Sequence, residues 1–137
     1  MSYSDKVEFA EAFKQRTKKF AIDIIKLCSA LPKSNEGYVL GKQLIRSATS
    51  IAANYRAVCR ARSKAEFYSK ICIVVEEADE SVFWLELITE ASILKNESTK
   101  NLLKEANEIL SVVATSKRTA STLNKSTIQQ FNNSIIQ

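Results

Sequence analysis

The chain has 137 residues, of which 45% are hydrophobic, and carries a formal net charge of +5 with no histidine. That size fits one domain with enough apolar material for a single continuous core. The missing imidazole removes most general-base chemistry near neutral pH, the Ser/His and Cys/His nucleophile pairs, and the usual zinc and carboxylate-bridged di-iron ligand sets.

Only two glycines and one proline occur, so the punctuation of a β or loop-rich fold is absent and long helices are the economical reading. No apolar run approaches the ~20 residues that span a bilayer, and the first residues include Asp5, Lys6 and Glu8 instead of an apolar leader. A cytoplasmic protein without membrane contact is expected. Cys28, Cys59 and Cys72 are odd in number and lie within helical patterns, so buried reduced thiols are expected over disulfides or a metal knuckle.

In chain order, Phe9, Phe13, Thr17, Phe20, Ile24, Leu27 and Leu31 recur at helical spacing and predict a first amphipathic helix over about 8–31. Pro32 disfavours helical geometry in the residue before it, and Lys33-Ser34-Asn35 reads as a turn. Leu40, Leu44, Ala48, Ile51, Tyr55 and Val58 predict a second helix over about 36–58. Gly37 and Gly41 share one face near its start, which fits either close approach of another helix or a loosely wound first turn.

Ser63-Lys64-Ala65-Glu66 has the form of a capping box. The stripe Phe67, Ile71, Val74, Ala78, Val82, Leu85 and Ile88 then predicts a third helix over about 64–94. Lys95-Asn96-Glu97-Ser98 supplies a turn, and Leu102, Ala106, Ile109 and Val113 mark a fourth helix over about 98–120. Residues 121–137 turn to Ser, Thr, Asn and Gln with scattered Leu123, Ile128, Phe131, Ile135 and Ile136, and read as a polar, flexible tail. The expected fold is an all-α, up-and-down antiparallel four-helix bundle over residues 1–120.

A short connection makes the second and third helices antiparallel, and their stripes pair at a constant index sum of 122, Ile51 with Ile71 for example. The same sum sets Lys42 level with Glu80, Arg46 with Glu76 and Arg56 with Glu66. Segment 32–64 holds seven Lys/Arg against one acid, and 65–94 seven acids against one Lys, so the basic segment has an equally charged acidic neighbour. Cross-helix pairing is therefore the expected role of Lys42, Arg46 and Arg56, with Arg46 facing Glu76 or Glu80. Arg60, Arg62 and Lys64 in the connection remain as candidates for contact with a nucleic acid, which needs positive charge not already neutralised.

Glu76 and Glu80 stand one turn apart, but without histidine a di-metal site is not expected, and neither is any cofactor. Phe83, Trp84 and Leu87 lie off the main stripe and give the third helix a second apolar side. It is either the central helix of the monomer or meets another subunit, and a homo-oligomer is expected.

Arg16-Thr17-Lys18-Lys19-Phe20-Ala21, the run from Gly41 to Ile51 that contains Arg-Ser-Ala-Thr-Ser, Ala53-Asn54-Tyr55-Arg56-Ala57, Ala61 to Phe67, and Glu76-Glu77-Ala78-Asp79-Glu80-Ser81 together give a resemblance. Across the bundle but not the tail, the chain resembles the bacterial four-helix-bundle family first met as products of intervening sequences in large-subunit ribosomal RNA genes. The resemblance implies a homopentamer and no enzyme activity. Related pentameric bundles serve reverse transcriptases and imply a basic nucleic-acid surface. The leading reading is a non-enzymatic homo-oligomeric bundle that binds RNA or a ribonucleoprotein. The alternative is a protein-binding accessory or scaffold module without nucleic-acid contact.

Overall fold

Ser2 opens the first helix: its hydroxyl accepts from the Asp5 N–H at 3.2 Å while the Asp5 carboxylate accepts from the Ser2 N–H at 3.1 Å. This reciprocal cap starts α1 (Tyr3–Cys28) five residues before the apolar stripe suggested, because a cap satisfies backbone N–H groups without help from the core. At the other end Ala30 and Leu31 donate to the carbonyls of Leu27 and Cys28. These tighter bonds end the regular helix before Leu31, which still reaches the core.

The computed structural model describes residues 1–136, with the backbone alone at 123–128, 131 and 136. Ser34 caps α2 (Asn35–Cys59) and Ser63 caps α3 (Lys64–Glu90), each through its side-chain oxygen. The third helix stops four residues short of the expected 94. Ser92 takes a left-handed φ of 57°, which lets Ser92 and Ile93 donate back to the carbonyls of Thr89 and Ile88 at 3.1 and 3.0 Å. That closure normally uses glycine, so no stop signal is legible at this position.

Asn96 accepts from the Thr99 N–H at 2.9 Å at the start of α4 (Glu97–Ile136). This helix runs 40 residues, about 60 Å at the standard rise, and continues past the expected end near Ala120. Polar composition suggested a tail there, but the chain has no glycine after Gly41 and no proline after Pro32, so nothing interrupts the helix. The side chains of Leu123, Ile128, Phe131 and Ile136 lie outside the described residues.

Each helix packs on its neighbours in the cyclic order α1, α2, α3, α4, and among the described residues the backbones of diagonal helices do not approach closely. The fold is an up-and-down antiparallel four-helix bundle. Its core is built from the expected stripes, with Phe20, Ile24, Leu44, Ile51, Ile71, Leu85, Ile88, Ile109 and Val113 fully buried, each contributing roughly 1.5–3 kcal/mol. Phe13 meets Tyr55 edge to face at 4.8 Å, whereas Phe9, expected in the stripe, stays exposed and stacks on Phe13.

Both glycines mark close approach. A Cβ on Gly41 would lie 3.0 Å from the Leu31 side chain, and one on Gly37 only 2.1 Å from the Pro32 carbonyl oxygen. The first turn of α2 is regular helix, so the loosely wound alternative falls away.

The register between α2 and α3 differs from the expected one. Arg46 reaches Glu80, at an index sum of 126, and Ser47 bonds Ser81, at 128. The helices are displaced by about one turn from a sum of 122. Stripes with steps of three and four match again after every turn: Leu44 with Val82 and Tyr55 with Ile71 both sum to 126. Periodicity cannot choose between such registers. The buried Ser81 hydroxyl, which donates to Ser47 Oγ at 2.8 Å while Ser47 donates to the Leu44 carbonyl at 3.2 Å, accepts only one of them.

Two substitutions test these backbone features by thermal melting. Gly37→Ala is expected to cost about 1–3 kcal/mol, because the Pro32 carbonyl must move. Ser92→Gly is expected to raise stability by about 0.5–1 kcal/mol through relief of the left-handed conformation.

Candidate nucleic-acid interface

The connection between α2 and α3 spans four residues, and its shape is fixed from the α3 side. Ser63 Oγ accepts from the Glu66 N–H at 3.0 Å, and the Glu66 carboxylate accepts from the Arg62 N–H at 3.1 Å. The expected capping box closes one residue further back than Ser63 itself. The last turns of α2 and this loop enclose an open groove lined by Ala53, Arg56, Ala57, Arg60, Arg62 and Glu66. Arg56, Arg60, Arg62 and Lys64 are all exposed, and none of them forms an ion pair among the described residues. Glu66 is the one acid in the wall, and Arg56, expected to pair with it, does not. Three arginines thus line one open groove with no ion pair among the described residues, a composition that suits phosphate oxygens.

Arg46 behaves differently. Its Nη1 donates to Glu77 Oε2 at 3.1 Å, its Nη2 to Glu80, and its Nε to Gln43 Oε1 at 3.2 Å. Glu80 also accepts from Trp84 Nε1 at 3.2 Å. Glu77 and Glu80, three residues apart, are both half-buried on the side of α3 that Arg46 reaches, whereas Glu76, the level partner at a sum of 122, is exposed and makes no ion pair among the described residues. Lys42, expected opposite Glu80, makes none either, since Arg46 occupies that carboxylate. The hydrogen bond from Arg46 holds the Glu80 carboxyl below its ordinary pKa against the opposing effect of burial, with a lesser contribution from the Trp84 hydrogen bond.

A second arginine clamp was not singled out from sequence. Arg16 on α1 donates through Nε to Glu105 Oε2 at 2.9 Å and through Nη2 to Glu105 and Glu108 at 2.5 and 2.7 Å. The Glu105/Glu108 spacing on α4 was the available signal, but the long separation from residue 16 hid the pairing. It ties together α1 and α4, the least intimately packed neighbours in the bundle.

Of the candidate oligomer residues, Phe83 is 49% exposed and its ring lies 5.1 Å from that of Trp84. Trp84 and Leu87 are half-buried. All three cysteines are free thiols, as expected, but Cys28 and Cys72 are only half-buried and Cys59 is exposed, so the expected burial is not met. Burial raises the Cys28 thiol to about 11. Among the described residues no group of three or more Cys, Asp or Glu side chains is placed to hold a metal ion, and no helix is long and apolar enough to cross a membrane.

Four antiparallel helices, cross-helix arginine clamps and one arginine-lined groove define the class as an all-α helical-bundle protein. The family model described as 23S rRNA-intervening sequence protein matches residues 12–115, and the chain belongs to that family. A crystal structure of a protein from Bacteroides thetaiotaomicron VPI-5482, titled as a protein with unknown function from the S23 ribosomal protein family, is similar. It is 32% identical with a TM-score of 0.70, the match covering 76% of this chain and 96% of that one. No curated protein matches the sequence.

The Glu80 shift gives a pH test. Its folded pKa is lowered, so its contribution is complete above the unfolded value near 4.5 and is lost as pH falls through the folded one. Glu80→Gln is therefore expected to lower stability by ~0.5–1 kcal/mol at pH 7. The gap from wild type should narrow in melts taken below about pH 4.5.

Proposed function

We propose that this chain is a non-enzymatic, self-associating bundle of the cytoplasm that binds RNA through Arg60, Arg62 and Lys64, with Arg56 on the groove wall. The observation that carries this reading is the division among the arginines. Arg16 and Arg46 are committed to carboxylates, while the three in the groove have no ion pair among the described residues. The family's description in terms of an intervening sequence of 23S rRNA supports RNA over other polyanions. Self-association is supported by the exposed Phe83 ring beside Trp84 and Leu87, and a homopentamer is the assembly that the family resemblance implies.

The test is fluorescence anisotropy with a 23S rRNA hairpin at 50–200 mM salt. Arg60→Ala/Arg62→Ala is expected to weaken binding by about tenfold or more and to reduce the salt slope by about 2, one for each phosphate contact removed. Arg46→Ala should lower the melting temperature and leave affinity nearly unchanged. Wild-type affinity in the double variant, or no salt-dependent binding by wild type, would remove the RNA reading. The exposed Phe83 among the acids of α3 favours one second reading, a protein-binding module. A stoichiometric partner that co-purifies regardless of nuclease treatment would establish it.

A further inference from the structure

α4 has 40 residues and α3, antiparallel beside it, has 27, so α4 outruns this neighbour by about 13 residues, ~20 Å of helix. On its other side the Arg16 clamp sets α1 level with Glu105 and Glu108. Counting on from there brings Tyr3, where α1 begins, level with about residue 120 of α4. The last turns of α4 therefore project past the bundle as an arm. In an up-and-down bundle α4 ends where α2 passes into α3, so the arm rises beside the loop that carries Arg60, Arg62 and Lys64.

That end of the molecule holds its net charge. A cut at the level of the Phe13–Tyr55 contact, with Ile71 and Ile109 at the same height on α3 and α4, leaves residues 1–13, 55–71 and 109–137 on the groove side. They contain nine Lys/Arg against four Asp/Glu, a net of +5, which is the formal charge of the whole chain. The rest of the bundle sums to zero. No acid follows Glu108 in the sequence, whereas Lys117, Arg118 and Lys125 do. Lys117 is half-buried and Arg118 exposed, and neither has an ion pair among the described residues. Arg118 Nη2 donates to the uncharged Thr115 hydroxyl at 3.1 Å, which leaves its charge open. Farther out Thr122, Gln129, Gln130, Asn132 and Asn133 are exposed, side chains of the kind that contact phosphate and sugar oxygens.

We infer that the arm is a second contact for the RNA held in the groove, with Lys117, Arg118 and Lys125 taking phosphates of the same molecule where it leaves Arg60 and Arg62. This extends the RNA reading above and rests on it. Cations without acids beside them draw a polyanion by releasing its counterions. Two such clusters at one end of a molecule act on one ligand, because binding at the first raises the local concentration of phosphate at the second. The arm begins where the family match over residues 12–115 ends, so this contact is assigned from the length and charge of this chain's own α4.

The experiment is fluorescence anisotropy on the full, nuclease-treated chain with a 23S rRNA hairpin whose stem has ~16 base pairs, as a function of salt. It compares wild type, the groove pair Arg60→Ala/Arg62→Ala and the arm triple Lys117→Ala/Arg118→Ala/Lys125→Ala, with circular dichroism to check folding. The arm triple is expected to bind about tenfold more weakly and to lower the salt slope by about 2–3, at an unchanged ratio of RNA to protein at saturation. The charge-keeping triple Lys117→Arg/Arg118→Lys/Lys125→Arg is expected to bind as wild type does. Wild-type affinity and slope in the alanine triple, with the groove pair weakened, overturn the arm and leave the groove reading standing. A weakened arm triple beside an unaffected groove pair removes the groove reading and keeps the arm as a contact. A lower saturation ratio at unchanged affinity means a separate RNA site and overturns the shared ligand. Loss of binding in the charge-keeping triple overturns the phosphate contact, and no salt-dependent binding by wild type overturns groove and arm together.

Discussion

The buried hydrogen bond between Ser81 and Ser47 is the contact on which the arrangement of this bundle turns. Apolar stripes on α2 and α3 would pack almost equally well one turn apart, and hydrophobic burial is indifferent to that choice because it is not directional. A hydroxyl sealed in the core is not indifferent. An unpartnered one costs roughly 1–3 kcal/mol, and the observed register is the one that pairs both serines and completes the chain of donors to the Leu44 carbonyl. Every polar feature on the outer side of these two helices then follows from where that register leaves the charges.

With the register set, the basic and acidic helices are matched unevenly. Arg46 is drawn into a cluster with Glu77, Glu80 and Gln43, with Trp84 closing the far side of Glu80. Farther along α2 the displacement of one turn carries Glu66 away from Arg56 and toward the backbone of Arg62. The Glu66 carboxylate shapes the loop instead of neutralising it, and the arginine groove keeps its field. Exposed pairs such as that of Arg46 contribute little each, so their larger effect is to decide which cations remain open to a polyanion.

Glycine and serine act at the ends where apolar packing does not reach. Gly37 and Gly41 let the Pro32 turn and α1 close against α2, while Ser2, Ser34, Ser63 and Asn96 supply acceptors to helix starts. At Ser92 the chain adopts a left-handed residue without glycine, a local cost that the surrounding return bonds hold in place. None of these positions contributes much burial, yet together they set the lengths of the helices that place the groove.

By itself the sequence determined the helices, their order and their inward faces, because periodicity, caps and a single proline act over a few residues and leave a local trace. Phe20, Ile51, Ile71 and Ile109 were legible as core for that reason, and Arg60, Arg62 and Lys64 as uncommitted loop charge. Only the tertiary structure decided the register, the partners of Arg46, the isolation of Lys42 and Glu76, and the addition of Arg56 to the groove. The Arg16 clamp onto Glu105 and Glu108 belongs to the same class, since it joins residues that nothing local connects. The physical reason is common to all of these: a helical pattern repeats with every turn, so it fixes which side faces inward but not the height at which two helices meet.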